Sequence, residues 1–158
     1  MIKDSPIAYI ERSRAYYEAQ GYPKPYRWSA AQDIPFHALT KPLSECKATI
    51  ITTAMPDDSY QDEHRRLYVG KFREAPENFY TGGLFWDRDA THTDDRETYF
   101  PIKQLTAHVT SGEIGSIAEH YYCVPTIYSY SRTQRRDAPA IAKQCQEEQV
   151  DIALLVPL

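Results

Sequence analysis

A short segment in the middle of the chain surrounds one histidine with carboxylates, and it is the first place where chemistry can be expected. Residues 86–95 read Trp-Asp-Arg-Asp-Ala-Thr-His-Thr-Asp-Asp, so His92 lies among four aspartates. A carboxylate can orient an imidazole as a general base, and the same side chains bind metal ions. The spacing matches no zinc signature, and turn-forming Asp and Thr side chains are typical of a solvated loop. We therefore expect no metal site here, and we keep His92 as a candidate base.

A metal-assisted hydrolase or lyase is a weaker hypothesis. It would be built on a wider set of side chains: His92, Asp94, Asp95 and His120.

The three cysteines Cys46, Cys123 and Cys145 are widely spaced and odd in number. They form neither a disulfide framework nor a CxxC motif, so free thiols in a reducing compartment are expected. Each is interpreted as a small core residue, because a buried free cysteine packs as a hydrophobe. Cys123 is the least ordinary of them, since it precedes Val-Pro at the tip of an expected strand.

These candidate residues must be positioned by alternating strands and helices. Residues 47–54 are β-branched and apolar and predict a first central strand, and residues 114–122 predict a second. A helix is expected from Pro101 to a stop at Gly112, and another from Asp137 through Cys145. The apolar run 150–158 predicts a terminal strand buried on both faces. The predicted class is α/β, a partial doubly wound, Rossmann- or flavodoxin-like parallel sheet with flanking helices and an N-terminal helix.

The chain divides into two parts of different composition. Residues 1–32 are expected to form a helix, beginning at Ser5-Pro6 and ending at Gly21, and then a linker of prolines and aromatics. Residues 33–158 are expected to form the α/β domain. Ending on a strand, this domain is predicted to be incomplete at its C-terminus, because one half of the sheet would lack its covering helix.

Charge and hydropathy exclude some classes of function. The formal net charge of −4 and pI near 5.7 argue against nucleic-acid binding, which needs a dense cationic patch. No apolar run approaches the roughly 18 residues of a membrane span, and the N-terminus lacks a signal peptide's apolar stretch. A cytoplasmic location is expected.

In open α/β sheets, ligands bind beyond the carboxyl ends of the strands. Three segments should meet at that edge: residues 52–56, residues 121–125 and the terminal Pro157-Leu158. We predict substrate contacts from Tyr122, Cys123 and Pro157.

Several motifs in a fixed order resemble the selenoprotein B family. They begin with Ile-Pro-Phe-His-Ala-Leu-Thr-Lys-Pro-Leu-Ser-Glu at 34–45, followed by Thr-Thr-Ala at 52–54. They continue with Ala-Thr-His-Thr-Asp-Asp at 90–95, Phe-Pro-Ile at 100–102 and Gly-Glu-Ile-Gly-Ser-Ile-Ala at 112–118. They close with Asp-Ala-Pro-Ala-Ile at 137–141 and the run 150–158. The family comprises component B of glycine, sarcosine and betaine reductases, the D-proline reductase subunit and small stand-alone relatives.

The resemblance implies reductive C–N cleavage with a dithiol as the electron donor. In the family a selenocysteine or cysteine directly follows the last strand, so the redox residue is expected just after Leu158, with no other cofactor. Either a UGA selenocysteine codon follows Leu158 and the chain is truncated, or it is a natural short form. Thr52 and Thr53 would place hydroxyls beside the nucleophile, His92 or Asp94 would deliver a proton, and the substrate would be a small amine or an amino-acid-like molecule.

The segment 55–82 departs from the large reductase subunits, being shorter, charged and rich in tyrosine. An alternative function is therefore a non-catalytic binding or assembly subunit, held to partner subunits or to a second copy by the N-terminal helix and tyrosine-rich surfaces. The 13 tyrosines suit interfaces, because the ring packs while the hydroxyl stays hydrated.

Overall fold

A buried strand, β1 (Lys47–Thr52), lies at the centre of a mainly parallel sheet. The computed structural model describes residues 8–22, 24, 32–33, 37–58, 66–82, 89–127 and 129–158. Ala48, Thr49, Ile50 and Thr52 are almost completely buried. The β-branched run of the sequence therefore forms the predicted central strand.

The carbonyl groups of successive β1 residues point to opposite sides, and the neighbouring strands bond to β1 along these two edges. The other strands are β2 (Tyr68–Lys71), β3 (Ser116–Ile117), β4 (His120–Cys123) and β5 (Ile152–Val156). The carbonyls of Cys46, Ala48 and Thr52 accept hydrogen bonds from the β3–β4 side, whereas the Lys47 carbonyl accepts one from Asp151 beside β5. β3, β4 and β5 are all parallel to β1, and β2 pairs antiparallel with β4. The predicted α/β class is confirmed.

β3 and β4 lie along the same edge of β1 but are separated by a short interruption. The register shifts from Lys47 opposite Ser116 to Ile51 opposite Tyr122. Just before β3, a Cβ on Gly115 would lie 2.8 Å from the Glu45 carbonyl carbon and 2.9 Å from the Cys46 oxygen. Two backbone segments therefore approach so closely here that only glycine fits.

The two faces of the sheet are covered by different helices. Ala48, Ile50, Tyr121 and Cys123 share a core cluster with Leu105 of helix α2 (Ile102–Thr110). Because side chains alternate along a strand, Tyr122 points to the opposite face, where its hydroxyl accepts the thiol hydrogen of Cys145 at 3.8 Å. Cys145 belongs to α4 (Ala138–Glu147), so α2 and α4 lie on opposite faces.

Helices α2 and α4 agree with the sequence prediction, with one addition. Gly112 has a positive φ of 78° and ends α2 as expected. Ahead of α4 the chain already forms a helical turn, α3 (Tyr130–Arg132), and a π-helical turn, Thr133–Asp137. The π turn buries the Asp137 side chain, whose Oδ1 accepts a hydrogen bond from Arg136 Nε at 2.9 Å.

The tyrosine-rich middle segment contributes an unexpected part of the core. Phe79 packs against Phe100 with ring centroids 4.8 Å apart, and Phe100 packs edge-on against Tyr121 at the same distance. Gly70 of β2 lies opposite Tyr121, whose ring occupies the position that a Cβ at residue 70 would take. The segment therefore adds an antiparallel edge strand and an aromatic layer that periodicity did not predict.

The prediction that β5 is buried on both faces is wrong. Ile152, Leu154 and Val156 pack against the core cluster, but Ala153 is exposed and Leu155 is 72% exposed. Among the described residues β5 pairs with β1 alone, so it is an edge strand with one covered face.

The chain forms two compact units, residues 1–36 and 37–158. In the first unit, α1 (Tyr9–Ala19) has no buried residue, and Gly21 follows it with a φ of 80°. The predicted helix start at Ser5-Pro6 lies outside the described residues. None of the helices in the described ranges combines the length and apolarity needed to cross a bilayer.

Replacing Gly115 with alanine is expected to lower the free energy of unfolding by about 1–3 kcal/mol, because the new Cβ meets backbone atoms that cannot rotate away. Urea denaturation measures the change. Gly82→Ala is the control, since there the nearest atoms to the Cβ would all belong to the side chain of the half-buried Tyr80, with Oη at 2.5 Å and Cζ at 2.7 Å. Equal losses in the two variants would contradict the close approach at Gly115.

Candidate functional site

The end of β1 is joined to the segment after β5 by one side chain. Thr53 Oγ1 accepts a hydrogen bond from the Leu158 N–H at 2.9 Å and donates one to the Leu158 carbonyl at 3.3 Å. Thr53 follows β1 and Leu158 follows β5, so both lie at the carboxyl edge of the parallel strands. The predicted meeting of residues 52–56 with Pro157-Leu158 is therefore present, and exposed Pro157 lies next to the contact.

Thr52 does not share this position, although it is adjacent in sequence. It is 1% exposed, and its Oγ1 accepts a hydrogen bond from the Ala54 N–H at 3.3 Å. Neighbouring strand residues point to opposite faces, so only one of the two threonines can face solvent at this edge. Thr53 carries the more accessible hydroxyl, whereas the Thr52 hydroxyl, which was also predicted to lie beside the nucleophile, is buried.

Tyr122 and Cys123 are fully buried, which corrects their prediction as substrate contacts. Cys123 belongs to the core cluster on the α2 face, and Tyr122 is covered by Cys145 on the other face. Burial raises the pKa of the Cys123 thiol far above its usual value, and burial also raises the pKa of Tyr122. Cys123 therefore remains a protonated core residue without the thiolate character that a nucleophile needs.

His92 and Asp94 lie in an exposed turn. Their side chains are 73% and 90% exposed, and His92 Nδ1 is 3.5 Å from Asp94 Oδ2. The same nitrogen accepts a long hydrogen bond of 3.4 Å from the Asp94 N–H. This imidazole is accessible to solvent, and among the described residues its polar contacts are those with Asp94 of its own turn.

Two contacts connect this turn to the carboxyl edge. The hydroxyls of Thr93 and Thr81 are 2.8 Å apart, and Tyr80, next to Thr81, exchanges two backbone hydrogen bonds with Met55. Met55 comes shortly after β1 ends, so the turn is attached to the chain that leaves this strand. The structure thus brings Thr53, Leu158 and the His92 turn toward one edge, and it buries Thr52, Tyr122 and Cys123 in the core.

The opposite, amino edge of the sheet carries the densest set of charged contacts. The Glu148 carboxylate accepts hydrogen bonds from the backbone of Glu119 at 3.0 Å and of His120 at 3.3 Å, and lies 2.5 Å from His120 Nδ1. Lys47 Nζ donates to the Glu148 carbonyl at 2.6 Å. Sequence analysis missed this set, because contacts joining residues far apart in the chain leave no local pattern.

Asp151 closes the same edge beside β5. Its Oδ2 accepts from Lys47 N at 2.7 Å and pairs with Lys41 Nζ at 2.8 Å. The hydrogen bond from Lys41 lowers the pKa of Asp151, and the Lys47 N–H lowers it further. An open polar depression of about 480 Å³ adjoins these groups. Its lining includes Lys41, Glu45, Lys47, Gln146, Gln149 and Asp151.

This depression lies at the amino ends of the strands, away from the edge where α/β proteins bind their ligands. Lys41 already pairs with Asp151, and Lys47 already donates to the Glu148 carbonyl, so we assign the candidate site to the carboxyl edge. In the described part of the chain, no group of three or more His, Cys, Asp or Glu side chains is arranged to hold a metal ion. His120, included in the metal hypothesis, is instead paired with Glu148.

No protein-family model, curated protein or solved structure matches this chain.

The free energy of unfolding is expected to fall as pH rises above about 9, where an unfolded cysteine ionises. A thiol whose folded pKa is raised stays protonated in the native state, so its stabilising contribution is present below the unfolded pKa and is lost as pH rises. Each such group contributes at most about 1.4 kcal/mol per pH unit. Urea denaturation of the wild type and of Cys123→Ala at neutral and alkaline pH should show a shallower loss in the variant. The same pH slope in both proteins would contradict a strongly raised pKa at Cys123.

Glu148→Gln is expected to lower the free energy of unfolding by about 1.5–3 kcal/mol, because the carboxylate receives three hydrogen-bonding contacts while its side chain is only 17% exposed. Glu147→Gln is the matched control. Its carboxylate is 63% exposed and lies 3.8 Å from Lys143, an ion pair of little energetic value. Thermal and urea denaturation should show a larger loss of stability for Glu148→Gln than for Glu147→Gln. A Glu148→Gln variant as stable as the wild type would show that Glu148 does not hold α4 to β4.

Proposed function

We propose that this chain is the scaffold of a dithiol-dependent reductase, similar to component B of the glycine, sarcosine and betaine reductases and to the D-proline reductase subunit. The observation that carries the proposal is the pair of hydrogen bonds between Thr53 and Leu158. In the family that the sequence resembles, the redox selenocysteine or cysteine directly follows the strand corresponding to β5. A residue at that position would emerge at the carboxyl edge beside Thr53.

The reaction implied is a reductive cleavage of a C–N bond. The bond between carbon and nitrogen breaks, C–H and N–H bonds form, and two thiols, or a selenol and a thiol, are oxidised to a disulfide or selenenyl sulfide. An external dithiol then reduces this bond and regenerates the site. Electrons and protons balance without a further cofactor, and the substrate class is a small amine or an amino-acid-like molecule.

The chain's own residues supply two functions in this proposal. Thr53, whose hydroxyl already binds the Leu158 backbone, fixes the position of the residue that follows. The exposed His92 and Asp94 supply the proton that the cleaved carbon or nitrogen needs, since both side chains are open to solvent and can exchange protons with it. Thr52, Tyr122 and Cys123 support the edge from within the core.

The most direct test is the nucleotide sequence after the Leu158 codon, together with the mass of the native protein. An in-frame UGA followed by a cysteine-containing stretch, and a native mass above 18.2 kDa, would support the proposal. Another stop codon and a native mass of 18.2 kDa would overturn it.

The 158-residue chain itself is expected to show no reductase turnover. None of its cysteines occupies the redox position, and Cys123 is buried with a raised pKa. Ammonia or amine release from glycine, sarcosine and betaine, and formation of the ring-opened primary amine from D-proline, with dithiothreitol as donor, measure this. Turnover that Cys123→Ser abolishes and Cys145→Ser preserves would show that the nucleophile is Cys123 and that its assignment to the core is wrong.

A second candidate, a binding or assembly subunit without chemistry, is favoured by the surface of α1. Tyr9, Tyr16 and Tyr17 are 70%, 62% and 47% exposed, and Tyr17 packs edge-on against exposed Tyr22 at 5.7 Å. Exposed tyrosines of this kind are typical of interface cores. Co-purification of a stoichiometric partner that is lost when Tyr16 and Tyr17 become serine would support this function, and retention of that partner would exclude α1 as its binding surface.

A further inference from the structure

The chain segments that leave β1 and β4 turn to opposite faces of the sheet. Ala54 and Met55, just after β1, belong to the core cluster on the α2 face. The segment after β4 leads instead to α3 and α4, and α4 lies on the other face. The Val124 N–H still bonds to the Thr52 carbonyl at 2.8 Å, so the two segments diverge beyond this point. Open α/β sheets bind ligands in the crevice between such diverging connections.

The helical run before β5 extends past this carboxyl edge. Its backbone stays right-handed helical from α3 through the π turn into α4. Its far end is fixed at the amino edge, where Glu148 contacts His120, the first residue of β4. Asp137 lies about 16 Å along the helix from Glu148, whereas Cys123 lies only about 10 Å along β4 from His120. Asp137 therefore stands beyond the end of β4, on the α4 face.

Pro139 determines the form of this part of the helix. Proline has no N–H for the carbonyl four residues earlier, and the chain widens just before it into the π turn Thr133–Asp137. The turn carries the Asp137 side chain inward, where it is 1% exposed. Single π turns within α-helices are frequent at functional sites.

Asp137 and Arg136 form an ion pair that uses one carboxylate oxygen. Arg136 Nε donates to Asp137 Oδ1 at 2.9 Å, while the buried Oδ2 has no hydrogen-bond partner in the described part of the chain. In a bidentate pair a second guanidinium N–H would bind Oδ2, so the Nη end of Arg136 is directed away from Asp137. The Arg136 side chain is 49% exposed. The guanidinium is thus held by a buried carboxylate on one side and meets solvent on the other.

We propose that Arg136, positioned by Asp137, binds the carboxylate group of a small organic acid in the crevice beyond β1 and β4. A guanidinium held through Nε can still present its two Nη groups as parallel donors, which match the two oxygens of a carboxylate. Residues 124–142 contain three arginines against one aspartate, so this segment is positive in a chain with a net charge of −4. The Thr53 hydroxyl lies at the same edge of the sheet.

The carboxylate site does not depend on the reductase proposal, because binding needs neither a redox residue nor turnover. Titration of the ¹⁵N-labelled chain with acetate, glycine and D-proline at constant ionic strength, each compared with its amide, tests the site by NMR. At least one acid is expected to give saturable shifts of the signals of residues 124–137 and of the Arg136 Nε–H, and the amides are expected to give none. No saturable shift with any of the three acids up to about 50 mM would overturn the inference.

Arg136→Lys is expected to weaken this binding by at least about tenfold, because an ammonium is a point charge without the planar pair of donors. Arg135→Lys is the matched control, since Arg135 is the exposed neighbour with the same charge. Equal weakening in the two variants would overturn the assignment of Arg136, because the acid would then respond only to the general positive charge.

Asp137→Asn tests the positioning role, since it keeps the size of the side chain and removes its charge. The variant is expected to shift the Arg136 Nε–H signal in the unliganded protein and to weaken binding of the acid. Circular dichroism and the remaining amide signals verify that it folds. Unchanged affinity in the folded variant would show that Asp137 does not position Arg136, and loss of the fold would leave Arg136→Lys as the deciding variant for the site.

Discussion

The backbone of β1 is hydrogen-bonded along both of its edges, and the rest of the domain is arranged around that constraint. Carbonyls of Cys46, Ala48 and Thr52 hold the β3–β4 edge, and the Lys47 carbonyl holds the start of β5. Because β1 is also buried on both faces, its polar backbone can be satisfied only by neighbouring strands. The parallel arrangement of those strands then requires α2 and α4 as crossover helices. These helices cover opposite faces of the sheet, with Tyr121 on the α2 face and Tyr122 on the α4 face.

The elements that the sequence predicted well are those with strong local signals. A run of β-branched residues predicted β1, and Gly112 predicted the end of α2, where it adopts a positive φ. β2 was missed because its residues become a strand only by pairing with β4, where Gly70 accommodates the ring of Tyr121. The exposed face of β5 could not be predicted from its apolar residues, since burial depends on which neighbours the fold supplies.

The candidate site shows the same division between local and tertiary information. Topology alone placed the ends of β1 and β5 at one edge, and Thr53 indeed contacts Leu158 there. Which side chains are accessible at that edge depends on which face of the sheet each residue points to. Position along the sequence alone does not determine this face. Thr52 and Thr53 are neighbours, yet one is buried and the other binds the terminal backbone. The Glu148 contacts with His120 join residues 28 positions apart and therefore left no motif.

The β1–β5 pair is fastened at both ends by side chains that bind backbone. Asp151 holds the Lys47 N–H at the amino end, and Thr53 holds Leu158 at the carboxyl end. An edge strand normally opens by fraying, which exposes its amide hydrogens to exchange one residue at a time. Here either end must first release a side-chain contact, and a one-residue slip would break both at once. The amide hydrogens of β5 that bond to β1 are therefore exposed only after one of these side-chain contacts has opened, so this outer strand frays less readily than an edge strand without such contacts.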